Sequence, residues 1–159
     1  MTNYDILTLI SALGCALVAG LFFAFSVCVM RALGTLPSPQ GIAAMQAINV
    51  VILNPLFLGV FVGTAATCAA VFVMSIVWWD PATTAGPLVG SLLYLIGSIL
   101  VTGRCNVPRN NALAKVAPDT ADGARVWVDY LGTWTFWNHV RTLASLLALI
   151  AFALPRWLT

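Results

Sequence analysis

The stretch WVDYLGTWTFWNHVR, residues 127–141, leads directly into an almost wholly apolar run over residues 142–158. At about 100° of rotation per residue, a helix over this stretch gathers aromatic and polar side chains on one face. Hydrogen-bonding groups inside a membrane are costly unless they find partners, so this face predicts polar contacts with neighbouring helices. The residues on the face are Trp127, Tyr130, Leu131, Trp134, Trp137, Asn138 and Arg141.

The composition is that of an integral membrane protein. Of the 159 residues, 61% are hydrophobic and 8% are charged, whereas a soluble domain has roughly 25% charged residues. The net charge of +2, without a basic run, argues against nucleic acid as a partner. The length suits a single transmembrane domain, residues 1–159. The first apolar run is too long for a signal peptide, so we expect it to remain as a spanning helix.

Four apolar runs are long enough to cross about 30 Å of hydrocarbon. They predict an all-α integral membrane four-helix bundle with spans at about residues 6–33, 52–79, 87–107 and 134–158. Short interfacial helical lead-ins are expected before the second and fourth spans. Residues 80–87 and 115–125 are predicted to be loops because they are rich in polar residues, Pro and Gly.

Basic residues cluster at one side of the predicted membrane. The opposite side has only Arg156 and the amino terminus. The positive-inside rule therefore predicts a multi-pass protein of the cell inner (plasma) membrane, with the first and third loops in the cytoplasm and both termini outside. The basic residues of those two loops are Arg31, Arg104, Arg109, Lys115 and Arg125.

The sequence lacks the residue patterns of metal and haem sites. A single histidine, His139, does not support bis-histidine haem ligation, and no carboxylate cluster suggests a metal site. We therefore expect no metal and no cofactor, with dioxygen as a co-substrate at most. The four cysteines form neither a CxxC pair nor a zinc pattern and are interpreted as small buried hydrophobes, except that this stays open for Cys105, which lies beside polar residues. The four cysteines are Cys15, Cys28, Cys68 and Cys105.

Polar side chains from all four spans reach one predicted level, the cytoplasmic edge of the hydrocarbon. Asn amides and a guanidinium can stabilise oxyanion charge where water is excluded, and Trp and Phe faces suit a flat aromatic ligand. Alternatives stay open, because Asn caps helices, Arg snorkels and Trp forms interfacial belts. The candidate catalytic residues are Asn49, Asn138, Arg141 and, as a base or merely a solvated histidine, His139. The candidate substrate-binding residues are Phe22, Phe23, Ser26, Met30, Met45, Asn54, Asn106, Asn110, Trp134 and Trp137.

Motifs spread over nearly the whole chain carry a resemblance to a known family. They are Gly20-x-Phe22-Phe23-x-Phe25-Ser26 with Met30, Met45-Gln46-x-x-Asn49, Asn54-Pro55, Asn106-x-Pro108-x-Asn110 and Trp134-x-x-Trp137-Asn138-x-x-Arg141. In their order and spacing the sequence resembles the anthrone oxygenase-like family of small four-helix membrane proteins. The resemblance implies four membrane helices. It also implies, from characterised members, cofactor-independent oxidation of an anthrone to an anthraquinone with dioxygen in aromatic polyketide pathways.

Two main hypotheses for function follow. The first is a cofactor-independent membrane monooxygenase that oxidises a flat phenolic or anthrone-like substrate to a quinone, with the substrate anion held by Asn and Arg at the cytoplasmic end of the bundle. The second is a non-catalytic quinone- or lipid-binding protein, or a small accessory subunit of a membrane complex. A redox protein with a bound metal or haem is a third. The expected partners are a small aromatic or lipophilic ligand and the bilayer, with homo-oligomerisation through Gly14 and Gly20 or through Gly59 and Gly63.

Overall fold

The computed structural model describes residues 1–153, which form five helices. Four of them are long and apolar enough to cross a membrane, which confirms the predicted four-helix membrane bundle. These four are α1 (Asn3–Gly34), α3 (Pro55–Val77), α4 (Pro81–Ala114) and α5 (Ala121–Ala153). The shorter α2 (Ser38–Val51) connects the first two spans. The last predicted residues of the fourth span, with Arg156, lie outside the described residues.

The four spans form a closed ring in which neighbours in sequence are neighbours in space. Helix α1 packs against α3 and α5, and α4 packs against the same two helices. This is the up-down-up-down arrangement of a four-helix bundle, with α2 in the connection between the first two spans. Helix α2 lies at one end, where its buried Ile42 and Met45 pack in a cluster with Trp127 and Tyr130 of α5. Gln46 of α2 also donates to two backbone carbonyls at the end of α4 and just after it, that of Leu113 at 2.8 Å and that of Val116 at 3.1 Å.

Capping residues decide where two of the spans begin. The side chain of Asn54 accepts a hydrogen bond from the Phe57 backbone N–H at 3.0 Å, and Pro55 occupies the first turn of α3. Asp80 caps α4 in the same way, with Pro81 in the first turn. The predicted loop over residues 80–87 is therefore wrong, because a capping carboxylate followed by Pro starts a helix.

The polar residues that precede the fourth span belong to the same helix as the span itself. We expected a separate lead-in, but one helix runs over Ala121–Ala153 and shortens the predicted loop over residues 115–125 to residues 115–120. The Thr120 hydroxyl accepts from the Gly123 backbone N–H at 3.0 Å and so caps the start of this helix. The predicted lead-in before the second span is confirmed as α2.

Three π-helical segments interrupt the spans near the polar side chains of the bundle. One lies in α1 (Phe25–Val29), and two lie in α4 (Leu95–Leu100 and Thr102–Asn106). A π turn holds an extra residue and so changes the direction in which the following side chains point. Ser26, Thr102 and Asn106 lie on these segments.

Close helix approach explains one of the small residues predicted to mediate contact. A Cβ at Gly14 would overlap the side chain of Thr64, so α1 and α3 touch inside the bundle at this position. Gly59 and Gly63 face open space, and oligomerisation through them stays a prediction. Cys15 and Cys68 are buried as expected, whereas Cys28 is exposed on the outside of the bundle.

Candidate functional site

Arg141 is the centre of the candidate site. It lies on α5 with only 5% of its surface exposed. One terminal nitrogen, Nη2, donates to Asn138 Oδ1 at 2.7 Å, and the other, Nη1, donates to Thr102 Oγ1 at 3.1 Å. Among residues 1–153, no Asp or Glu forms an ion pair with this guanidinium. Arg141 is thus a buried positive charge held by neutral partners, which leaves its charge uncompensated within the described protein.

Asn138 fixes the position of Arg141. It is completely buried, and its Nδ2 donates to the Phe22 carbonyl and to Ser26 Oγ, both at 2.7 Å. Its Oδ1 is the acceptor for Arg141, so both ends of the amide are used. Because Asn138 ties α5 to the π-helical segment of α1, the guanidinium has little freedom to turn away from its present direction.

Two aromatic rings flank the guanidinium. The Cζ atom of Arg141 lies 4.1 Å from the centroid of the Phe22 ring and 5.2 Å from that of Trp134. Phe25 packs against Trp134 with the ring centroids 5.9 Å apart. Cation–π contacts of this kind contribute about 0.5–2 kcal/mol each and offset part of the cost of burying the charge.

The guanidinium borders a mainly apolar cavity of about 280 Å³. This volume is close to the lower end of the range for small-molecule pockets, which are typically apolar with a few placed polar groups. The polar lining residues are Asn49, Thr102, Asn110 and Arg141. The apolar lining residues are Leu21, Phe22, Phe25, Met45, Ile48, Ile52, Leu53, Phe57, Leu58, Phe61, Val62, Val107 and Trp134.

The cavity opens to the outside of the bundle beside the start of α3. Leu53 and Val62 line the cavity, yet 63% and 57% of their surfaces are exposed on the outside of the bundle. Leu58 of α3 and Val107 of α4 also line the cavity and are exposed. In a membrane-spanning bundle such apolar side chains face hydrocarbon, so a lipophilic molecule can reach the cavity from the bilayer.

A second polar group lines the cavity around Tyr130. Its hydroxyl donates to Asn110 Oδ1 at 2.8 Å and accepts from Asn49 Nδ2 at 3.4 Å. The Tyr130 ring is stacked between Trp127 and Trp134, with both centroid distances 5.7 Å. The aromatic face predicted for α5 therefore exists as a ladder of three stacked rings, whose last member is the cavity wall beside Arg141.

Several buried polar atoms near the cavity have no hydrogen-bond partner within the described residues. They include Trp134 Nε1, Asn106 Oδ1 and Arg141 Nε. An unpaired buried polar atom costs about 1–3 kcal/mol, and native proteins have few of them. Two of these atoms belong to side chains that line the cavity, Trp134 and Arg141. No three His, Cys, Asp or Glu side chains in residues 1–153 come together as a metal-binding group.

The structure brings together most, though not all, of the candidate site residues. Phe22, Met45, Asn49, Asn110, Trp134 and Arg141 line the cavity. Ser26, Asn106 and Asn138 lie behind the lining, where Ser26 and Asn138 hydrogen-bond each other and Asn106 donates to the Trp134 carbonyl at 3.2 Å.

Five candidates lie elsewhere. Phe23 is 54% exposed on the outside of the bundle, and Asn54 is occupied as the cap of α3. Trp137 packs edge-on against Phe136. His139 and Met30 line a separate groove between α1 and α5. We therefore leave these five out of the site.

Two polar residues of the site were not among the candidates. Tyr130 lies on the predicted face of α5, so the same periodicity could have identified it. Thr102 has no such signal, because its direction depends on the π-helical segment in which it lies. Its contact with Arg141 could be found only in three dimensions.

Comparison with known proteins gives one match. The family described as anthrone oxygenase matches over residues 56–151, which is more than half of the chain. The matched range contains all of α4 and nearly all of α3 and α5, and with them Thr102, Asn138 and Arg141. No curated protein and no solved structure matches this chain.

Proposed function

The chain belongs to the anthrone oxygenase family, and on this premise we propose that it is a cofactor-independent membrane oxygenase that converts a flat phenolic or anthrone-like substrate to a quinone with dioxygen. One observation carries the proposal. The buried Arg141 has no carboxylate partner among residues 1–153 and borders an aromatic cavity large enough for a small ligand. A fixed positive charge in an apolar cavity is suited to hold an oxyanion.

Arg141 would act on the ionisation of the substrate. An anthrone has a ring methylene whose proton is lost to give an anion delocalised onto the carbonyl oxygen. The guanidinium and the Thr102 hydroxyl lie together at one side of the cavity and would bind that oxygen. Because charge interactions are stronger where water is excluded, the anion gains more stabilisation here than in solution.

The aromatic wall would hold the rings of the substrate. Phe22 and Trp134 flank the guanidinium, so a flat molecule that places its oxygen at Arg141 also contacts their faces. The cavity residues include no Asp, Glu or His. We therefore assign no protein base, and the methylene proton passes to bulk water outside the cavity, so that the substrate binds as the anion.

Dioxygen completes the reaction without a further electron donor. The substrate anion transfers one electron to dioxygen, and the two radicals combine at the former methylene carbon to form a peroxide. Loss of the remaining proton from that carbon and cleavage of the O–O bond give the ketone. One oxygen atom enters the quinone and the other leaves as water, so substrate and dioxygen balance quinone and water.

The position of the cavity suits a lipophilic substrate. Its mouth at Leu53 and Val62 is exposed on the outer surface of the bundle, which supports entry from the bilayer. The basic residues Arg31, Arg104 and Lys115 lie at the end of the bundle that also carries α2. By the positive-inside rule we propose that this end faces the cytoplasm in the plasma membrane.

The test uses protein purified in detergent and a panel of anthrones. Oxygen consumption is followed with an electrode, and quinone formation is followed by absorbance. We expect both rates to exceed those in protein-free buffer, with one dioxygen consumed per quinone formed. No acceleration for any anthrone in the panel would overturn the proposal. Loss of the rate after chelation and dialysis would overturn the cofactor-independent part alone.

A second candidate function is binding of a quinone without chemistry. The lack of an acid or base among the cavity residues favours it, because binding needs none. Saturable binding of a quinone to protein that consumes no oxygen with any anthrone would support this alternative.

A further inference from the structure

The cavity has polar groups at two places that are separated by Trp134. Tyr130 and Arg141 are eleven positions apart on α5, and both side chains contact Trp134. The Trp134 ring lies between them, stacked on Tyr130 at 5.7 Å and 5.2 Å from the Arg141 guanidinium carbon. A flat ligand against Trp134 therefore has one edge toward Arg141 and another toward Asn49 and Asn110, which Tyr130 holds.

The Arg141 end donates hydrogen bonds. A guanidinium has five N–H groups and no acceptor. One N–H of Nη2 reaches Asn138 and one N–H of Nη1 reaches Thr102, so each of these two nitrogens has a second N–H for another partner. The Thr102 hydroxyl already accepts from Arg141, and its own proton can be donated. This end therefore suits a carbonyl oxygen or an oxyanion.

The end of the cavity at Asn49 and Asn110 differs from the Arg141 end. There the Tyr130 hydroxyl occupies one hydrogen-bonding group of each amide and leaves the other group free for a ligand. The Tyr130 hydroxyl donates to Asn110 Oδ1, which leaves the Asn110 amino group for another partner. The same hydroxyl accepts from Asn49 Nδ2, which leaves the carbonyl oxygen of Asn49. One donor and one acceptor on adjacent side chains of the cavity are what a hydroxyl group requires, since it both donates and accepts.

We propose that the cavity binds its ligand in one orientation, with the oxyanion at Arg141 and a phenolic hydroxyl between Asn49 and Asn110. Asn49 and Asn110 are then specificity-determining residues, and Tyr130 is a positioning residue that sets which end of each amide faces the ligand. The inference rests on the proposed function for the identity of the ligand class. Asn49 and Asn110, which the sequence predicts among the groups that hold the substrate anion, then recognise a hydroxyl group instead.

The experiment measures binding, so that it does not depend on turnover. Anthraquinone without substituents and a hydroxyanthraquinone are titrated against purified protein, and quenching of tryptophan fluorescence gives each Kd. A site built to hydrogen-bond a hydroxyl rejects a ligand that lacks it, so we expect the hydroxyanthraquinone to bind at least about tenfold more tightly to the wild type.

The variants separate recognition from general affinity. Asn49→Leu and Asn110→Leu should lose most of the preference for the hydroxyl and keep their affinity for unsubstituted anthraquinone. Tyr130→Phe retains the stacked ring and should reduce the preference in the same way. Asn111→Leu is the matched control, because Asn111 is the exposed neighbour of Asn110 and should keep the full preference. Asn110→Ser replaces Asn110→Leu if the latter does not fold.

The outcomes distinguish this inference from the proposed function. Equal affinity of the wild type for both quinones, no binding of either, or equal weakening of both by Asn49→Leu would overturn hydroxyl recognition. A loss of preference in Asn111→Leu as large as in Asn110→Leu would also overturn it. A clear preference in protein that consumes no oxygen with any anthrone would support the inference and overturn the oxygenase.

Discussion

Replacing Arg141 by Met keeps a long, unbranched side chain and removes the charge and all N–H donors. In an enzyme that stabilises an oxyanion, loss of one preorganised donor lowers kcat by about 10²–10³. Arg141 supplies a charge and several donors at the cavity. We therefore expect quinone formation by Arg141→Met to fall at least about 100-fold.

The effect of the same substitution on stability is expected to be small. Met leaves the fully buried Asn138 Oδ1 without its donor, at a cost of about 1–3 kcal/mol. It also removes a buried charge that has no ion-pair partner among residues 1–153, and burial of such a charge costs several kcal/mol. These effects oppose each other, so we expect the free energy of unfolding to change by less than about 2 kcal/mol.

The assay compares quinone absorbance with thermal unfolding in the same detergent. Arg104→Met is the matched control, because Arg104 is an exposed arginine on α4, two positions from Thr102. We expect this control to keep wild-type activity. Arg141→Met that retains more than a tenth of the activity would refute the reasoning, as would an equal loss in Arg104→Met. A variant that is inactive only because it is unfolded would show that Arg141 is structural.

Three further predictions concern packing, access and capping. Gly14→Val should lower the unfolding free energy by about 1–3 kcal/mol because the Val side chain overlaps Thr64. Gly20→Val should not, because Gly20 faces open space. Equal thermal midpoints for the two variants would contradict the close contact of α1 and α3. Leu53→Trp narrows the cavity mouth and should raise KM several-fold with little change in kcat, whereas Val73→Trp, at an exposed position of α3 outside the cavity, should leave both unchanged. An unchanged KM for Leu53→Trp would argue against substrate entry beside Leu53. Asn54→Ala removes the cap of α3 and should lower the free energy of unfolding by about 1 kcal/mol without altering kcat/KM. A large rise in KM would show that Asn54 contacts the substrate.

The sequence allowed prediction of the bundle because composition alone specifies helices that cross a membrane. Local periodicity also predicted that Asn138 and Arg141 lie on one face, since residues three apart are neighbours on a helix. The stacking of Tyr130 on Trp134, four residues apart, follows from the same rule. Contacts within α5 were therefore accessible from sequence.

Contacts between helices were less accessible. Ser26 and Thr102 meet α5 from π-helical segments, which have no recognised pattern in the sequence. Trp137 lies at the edge of the predicted face, and a face that is about 100° wide does not decide whether an edge residue points inward. Asn54 precedes a Pro, which is as typical of a helix cap as of a ligand-binding amide, and the cap is what the structure contains.

The most direct test is a structure of the protein with a bound hydroxyanthraquinone. We predict that the ligand lies against Trp134 in the cavity, with a ligand oxygen within hydrogen-bond distance of the Arg141 guanidinium. A ligand bound instead in the groove that His139 lines, or one in the cavity with no oxygen near Arg141, would contradict the assignment of this buried charge as the group that holds the substrate anion.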